Sequence, residues 1–171
     1  MLSTDLAGLK TYMAQNPGAV IEDVARERKV TPRAVLEELP ETMVRFGPGA
    51  EFGAAMNDVA QWGEVTLIVH TDDAIVEFTG GVPAGEVGRG YFNLMQPKGL
   101  HGHLRHERCG ASPSSSVPSW ASRRRSSRSS MWTAASCSKV FVGRDETRAL
   151  RGDQLQRFHA LAERIASDRA V

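Results

Sequence analysis

The stretch GEVTLIVHTDDAIVEFTGG, residues 63–81, decides the fold class of this sequence. Two runs rich in β-branched and aromatic residues, EVTLIVHT and AIVEFTG, flank a pair of aspartates, and this pattern predicts a β-hairpin. Similar runs predict further strands at TMVRF (42–46), GRGYFNL (88–94), GLHGHLRH (99–106) and KVFVGRD (139–145). Because helical patterns precede and follow these strands, the sequence predicts an α+β fold with an antiparallel sheet.

The helical patterns lie mainly at the two ends of the chain. Three short helices are predicted within residues 3–40, the first ended by NPG at 16–18 and the third capped by Thr31 with Pro32 in its first turn. A fourth helix is predicted at about Ala50–Trp62 and a closing helix at about 152–168. We therefore expect one domain, 1–171, with a helical subregion at about 3–40, a sheet region at about 41–145 and the C-terminal helix.

Composition and charge restrict the classes of partner. The chain has 171 residues and a formal net charge of +1, which gives no electrostatic reason to expect nucleic acid or membrane as a partner. There is no apolar run of membrane-spanning length and no basic segment followed by an apolar run at the N-terminus, so we expect a cytoplasmic protein. The two cysteines, Cys109 and Cys137, form neither a disulfide framework nor a CxxC metal motif.

The N-terminal helices also permit a second interpretation, since short helices joined by tight turns resemble a helix-turn-helix of a DNA-binding regulator. Glu37, Glu38 and Glu41 would be placed unfavourably against phosphates. We therefore favour a packing role for these helices and expect no nucleic-acid partner.

Histidines on predicted strands are the candidate ligands of this chain. His70 shares a strand face with Thr66 and Ile68, whereas His101, His103 and Arg105 share a face of a later strand. A histidine considered alone is most often a hydrogen-bonded surface or core residue, and His-x-His on a strand also fits Zn²⁺ or another bare metal ion.

Several motifs make the chain similar to a known family. They are NPG at 16–18, VTPRAVLEELPE at 30–41, DVAQWGEVTLIVHT at 58–71, GRGYFNL, GLHGHLR at 99–105 and KVFVGRDE at 139–146. In these motifs the chain resembles the bacterial haem-utilisation carriers of the HutX/ChuX type. Gln61 replaces the usual acid before Trp62, and Met95 and Gln96 stand where relatives often carry His and Gly.

The resemblance implies a cytoplasmic homodimer with a saddle-like sheet that binds b-type haem and passes it to a haem-degrading partner. It favours His70 and His103 as axial ligands of the haem iron, with Tyr91 as the alternative, because imidazole and phenolate both ligate haem iron. Basic side chains, Arg89, Lys98 and Arg105, could meet the propionates. We therefore expect a haem carrier. The second expectation is a haem-degrading enzyme, and the third is a DNA-binding regulator.

One stretch departs from the rest of the chain. Between Cys109 and Ser138 there is no Leu, Ile, Phe, Asp or Glu, and Ser and Arg fill most positions. This composition is typical of a disordered linker, but long unstructured insertions within compact sheets are uncommon. A shifted reading frame joins the third base of each codon to the first two bases of the next codon. In that frame residues 112–121 can encode Ala-Phe-Val-Glu-Arg-Pro-Phe-Met-Gly, and the residues before KVFVGRD can encode Asn-Val-Asp-Gly-Gly. Both shifted segments resemble the family. We therefore interpret residues 109–138 as a frameshifted translation at the position of two paired strands.

Overall fold

The computed structural model describes residues 8–16, 19–39, 44–46, 48–71, 73–106, 119–122, 129–132 and 138–167. The helices are α1 Leu9–Gln15, α2 Ile21–Glu27, α3 Pro32–Glu37, α4 Phe52–Val59 and α5 Gly152–Ser167. The strands are β1 Val44–Phe46, β2 Glu64–His70, β3 Ile75–Gly81, β4 Gly85–Gly88, β5 Tyr91–Leu94, β6 Gly102–Leu104, β7 Ser119–Ser122, β8 Ser129–Trp132 and β9 Ser138–Phe141. This arrangement confirms the predicted α+β class. None of the helices in the described ranges is long and apolar enough to cross a membrane.

The β-structure is antiparallel, as predicted, and is divided into two sheets. Six strands form the larger sheet in the order β1-β7-β8-β9-β2-β3, and β4-β5-β6 form the smaller one. The predicted hairpin is confirmed: β2 and β3 pair from Glu64 opposite Gly81 to His70 opposite Ile75. The Thr71 amide donates to the carbonyl of Ala74 across the turn at 2.8 Å, which fixes the register of this pair.

The predicted single strand GRGYFNL is wrong. Gly88 ends β4, and Arg89 and Gly90 form a two-residue turn into β5 with positive φ angles of 54° and 79°. Positive φ at both central residues defines a type I′ hairpin turn, whose twist matches that of the flanking strands. The sequence motif therefore spans a turn and a strand, and β4 is an additional strand that sequence reasoning missed.

The stretch interpreted as frameshifted contributes backbone to the middle of the larger sheet. β7 and β8 pair with each other from Ser119 opposite Trp132 to Ser122 opposite Ser129. They lie between β1 and β9, so the expectation of two paired strands within residues 109–138 is confirmed. Most other positions of this stretch, 109–118, 123–128 and 133–137, lie outside the described residues, and the frameshift itself stays a hypothesis.

The main hydrophobic core joins both sheets to α4 and α5. Its fully buried members include Phe52 and Met56 of α4, Val65 of β2, Phe92 of β5 and Phe158 of α5. The apolar spacing that predicted the closing helix is confirmed, since Phe158, Leu161 and Ile165 are all buried. Helix α4 is shorter than predicted, because a 3₁₀ turn at Gly49–Glu51 precedes it and it ends at Val59.

A buried glutamine connects the closing helix to the larger sheet. Gln154 is fully buried, and its side-chain amide donates to the carbonyls of Trp62 and Glu64, each at 2.8 Å. Its side-chain oxygen accepts from the Gly143 amide at 2.7 Å. Because a buried backbone group without a partner is costly, this one side chain stabilises the start of β2 and the segment after β9 together.

The N-terminal helices form a second, smaller hydrophobic cluster. Leu9 and Met13 of α1 pack with residues of α2, of α3 and of the segment that follows α3, namely Ile21, Val24, Ala25, Val35, Leu36 and Leu39. Thr31 caps α3 as predicted, since its hydroxyl oxygen accepts from the Ala34 amide at 3.2 Å. The contact between these helices and the larger sheet is polar: Glu22 of α2 meets Lys139 of β9 and His70 of β2.

Asn57 fixes the smaller sheet to α4. Its side chain donates to the Gly85 carbonyl at 3.0 Å and accepts from the Gly85 amide at 2.9 Å, so it pairs with β4 as a neighbouring strand would. We expect Asn57→Ala to lower the free energy of unfolding by about 2 kcal/mol, because two part-buried hydrogen bonds are lost. Urea denaturation measures this change. Exposed Gln61, mutated to Ala as the control, should change stability by less than about 0.5 kcal/mol, and equal effects of the two substitutions would contradict the assignment.

Candidate functional site

Four side chains converge on one face of the smaller sheet. Tyr91 and Asn93 alternate along β5, so they point to a single side of that strand. The predicted strand GLHGHLRH is shorter in the structure: β6 contains His103, whereas Arg105 follows its last residue and His101 precedes its first. The strands pair with Asn93 directly opposite His103, which brings Tyr91 next to Arg105. Phe92 and Leu94, which alternate with Tyr91 and Asn93, are buried in the main core. The opposite face, with these four side chains, is therefore the one accessible to a ligand.

Aromatic and cationic groups surround the imidazole of His103. The ring centroids of Tyr91 and His103 lie 5.9 Å apart at an interplanar angle of 69°, an edge-to-face arrangement. The Arg105 guanidinium carbon lies 5.1 Å from the centre of the Tyr91 ring, within the range of a cation–π contact. Arg89 is exposed in the β4–β5 turn that leads into Tyr91. Three of the predicted site residues, Tyr91, His103 and Arg105, are thus brought together, with Arg89 two residues before Tyr91.

His103 also has a defined hydrogen-bond partner. Its Nδ1 lies 2.7 Å from Oδ1 of Asn93, the residue opposite it on β5. A similar contact holds His101, whose Nδ1 lies 3.0 Å from the Gly99 carbonyl oxygen. In each ring the nitrogen nearer the backbone is engaged, which leaves Nε2 as the atom that can meet a ligand.

His70 lies on the larger sheet in a different environment. Its side chain is 13% exposed, and its Nδ1 lies 3.5 Å from Oε1 of Glu22. The same oxygen is in close contact with Nζ of Lys139, and both of these charged residues are buried. Two opposite charges in low dielectric attract strongly, which offsets part of the cost of removing them from water. The predicted ligands His70 and His103 are therefore held by separate sheets and by different partners.

A groove of about 330 Å³ lies on the larger sheet. Residues of β2, β3 and β9 line it, including Thr66, Ile68, Thr79 and Phe141. Thr66 and Ile68 alternate with buried Val65 and Leu67, so they lie on the face of β2 that continues to His70, as predicted. Among the described residues that line this groove, none is one of the five predicted binding residues.

Sequence reasoning missed three residues of these clusters: Asn93, Glu22 and Lys139. Asn is depleted in strands, so Asn93 within YFNL is a signal that could have been noticed. The acid of α2 and the lysine of β9 are far apart in sequence, and only the tertiary structure brings them together. Among the residues that the structure describes, no group of three or more His, Cys, Asp or Glu side chains could hold a bare metal ion.

The sequence and the fold are similar to those of one family of proteins. The sequence model described as haem utilisation ChuX/HutX matches residues 45–161. A curated relative from Vibrio cholerae, named intracellular heme transport protein HutX, is 33% identical over 154 residues, which cover 88% of this chain and 79% of that protein. The chain therefore belongs to the ChuX/HutX haem utilisation family.

Solved structures agree with this assignment. A crystal structure of a protein from Erwinia carotovora is 34% identical with a TM-score of 0.79, covering 92% of this chain and 98% of that one. A crystal structure of ChuX is 30% identical with a TM-score of 0.77, covering 93% of this chain and 98% of that one. The fold is thus similar to that of both structures over more than nine-tenths of this chain.

Proposed function

We propose that this protein is a cytoplasmic haem carrier that binds b-type haem without covalent attachment and passes it intact to a haem-degrading partner. The observation that carries the proposal is the His103 cluster, in which an imidazole, an aromatic ring and a guanidinium share one accessible face. The names of the relatives, a heme transport protein and a ChuX, support the same cargo. The sequence has no CxxCH motif for covalent haem attachment, which favours the b-type.

The chemistry of the candidate residues fits haem as cargo. An imidazole nitrogen supplies a good axial ligand for iron, and a phenolate supplies another. His103 and His70 are our candidate iron ligands, and Tyr91 is the alternative. Arg89 and Arg105 suit the propionates, because a guanidinium forms charge-assisted bonds with carboxylates. The groove on the larger sheet offers Ile68 and Phe141 to an apolar ring, together with the charged side chains of Glu77 and Arg144.

A carrier is distinguished from a haem-degrading enzyme by the fate of the bound haem. Ring cleavage needs reducing equivalents, and the sequence contains no flavin or nicotinamide motif to deliver them. Bound haem should therefore persist when a physiological reductant is added, as followed by its main absorption band. Repeated release of iron and a linear tetrapyrrole would support the enzyme instead. The proposed homodimer can be tested on the same samples by light scattering.

Haem binding should depend on the candidate ligands. We expect His103→Ala or His70→Ala to shift the absorption band of bound hemin and weaken binding by more than about tenfold, equivalent to about 1.4 kcal/mol. The double variant should show only non-specific binding, and a spectral change confined to Tyr91→Phe would identify the phenolate as the ligand. His159→Ala, which removes an exposed imidazole from α5, is the matched control. Unchanged spectrum and affinity in the double variant would contradict the ligand assignment.

A further inference from the structure

We propose that Asn93 is a positioning residue that holds His103 with its proton on Nδ1, so that Nε2 is the atom that binds iron. This inference rests on the proposed function, because it concerns the same cluster. The two residues lie directly opposite each other on β5 and β6. Their side chains are joined by the 2.7 Å contact between Asn93 Oδ1 and His103 Nδ1.

The orientation of the Asn93 amide is determined by three backbone carbonyls. Its nitrogen Nδ2 lies 3.2 Å from the oxygen of Glu86, 3.2 Å from that of Gly88 and 3.3 Å from that of Tyr91. Carbonyl oxygens only accept hydrogen bonds, so the group that faces them must be the NH₂. Rotating the amide by half a turn would place its oxygen against three acceptors. The carbonyl oxygen of Asn93 therefore has to face His103.

The proton on His103 follows from that orientation. Because an amide oxygen only accepts, the imidazole nitrogen opposite it must donate, and Nδ1 carries the hydrogen. In the neutral ring the lone pair then lies on Nε2, whereas free histidine in water favours the opposite tautomer. Metal-binding histidines commonly have their second nitrogen held by such a partner, which fixes the ring and its ligating atom.

The β4–β5 turn explains why the amide is held so firmly. The I′ turn at Arg89 and Gly90 brings the carbonyls of Gly88 and Tyr91 towards the same point, next to Asn93. The hairpin thus forms a backbone acceptor site that selects one orientation of one side chain.

Nitrogen NMR of the haem-free protein tests the tautomer directly. At about pH 8, where an ordinary histidine is neutral, ¹⁵N shifts of His103 should show a protonated Nδ1 and an unprotonated Nε2. Asn93→Leu should reverse this pattern, because no acceptor then faces Nδ1. Asn93→Asp should retain it, since one carboxylate oxygen still accepts from Nδ1, although the other oxygen now faces the carbonyls that the NH₂ contacted. Val87→Thr changes an exposed side chain on β4 whose carbonyl is not one of the three that hold Asn93, and it is the control that should leave the shifts unchanged. A protonated Nε2 in the unaltered protein would overturn the inference.

Hemin titration of the same variants tests the consequence for binding. Asn93→Leu should weaken hemin binding by about 10-fold to 100-fold, the usual cost of losing a group that orients a metal ligand. Asn93→Asp should restore only part of the affinity, because its second oxygen faces the three carbonyls that the NH₂ contacted. It should also shift the haem reduction potential downwards, since the added charge makes the imidazole a stronger donor. If His103→Ala weakens binding and Asn93→Leu does not, the positioning role is wrong. If neither His103→Ala nor Asn93→Leu weakens hemin binding while the ¹⁵N shifts still show a protonated Nδ1, then His103 is not the iron ligand and the proposed function has to be revised at that residue.

Discussion

Replacing Lys139 with Met is expected to lower the free energy of unfolding by about 3–5 kcal/mol, because it leaves the buried carboxylate of Glu22 without its close cationic partner. Both residues are more than nine-tenths buried, so solvent cannot compensate for the lost charge. Chemical denaturation followed by circular dichroism measures this loss. The effect is large because the pair is the polar contact between the N-terminal helices and the larger sheet.

A double-mutant cycle separates this pair from ordinary packing. Replacing Glu22 with Leu in the Lys139→Met background should recover most of the lost stability, since a buried pair replaced by apolar residues is often close to neutral. Arg26→Met is the matched control on the same helix, because Arg26 and Asp23 form an exposed pair. That substitution should cost less than about 1 kcal/mol. Additive losses from the two substitutions at Glu22 and Lys139 would show that the pair is not coupled.

Restoring the alternative reading frame across residues 109–138 is expected to increase stability by more than any single substitution. β7 and β8 lie in the middle of the larger sheet, where large apolar side chains are expected to contribute most. Each such side chain that is absent forfeits about 1.5–3 kcal/mol of burial. Several together are comparable with the whole stability of a domain, about 5–15 kcal/mol. Soluble expression, thermal melting temperature and hemin binding should therefore rise together in the restored chain.

The control for this experiment is a gene recoded synonymously over codons 109–138. This recoded gene encodes the same protein but changes the nucleotide sequence. A difference in stability between its product and the restored chain therefore arises from the polypeptide and not from the gene. DNA sequencing across codons 105–140 gives an independent check on the compensating base changes. Equal, cooperative melting of both proteins, with amides of 119–122 and 129–132 strongly protected from hydrogen exchange in the written chain, would contradict the frameshift interpretation.

Local sequence was sufficient for most of the elements, though not for β4, and for the face of β2 that carries His70. Alternation along EVTLIVHT placed Thr66, Ile68 and His70 on one side of β2, and Thr31 with Pro32 marked the start of α3. These features depend on periodicity and capping, which are properties of a few neighbouring residues. The same reasoning put Tyr91, His103 and Arg105 on strands, but it did not determine which strands would be neighbours.

Tertiary structure decided the pairings that sequence reasoning did not predict. The register of β5 against β6 sets Asn93 opposite His103, and the I′ turn at Arg89–Gly90 divides what the sequence presents as one strand. Strand register and the meeting of Glu22 with Lys139 join residues that are distant in sequence. Such contacts are selected by the packing of the whole chain, because no local pattern specifies which distant residues will meet. The sequence by itself therefore determined most of the elements and indicated the candidate ligands, whereas the folded chain determined how each candidate is held.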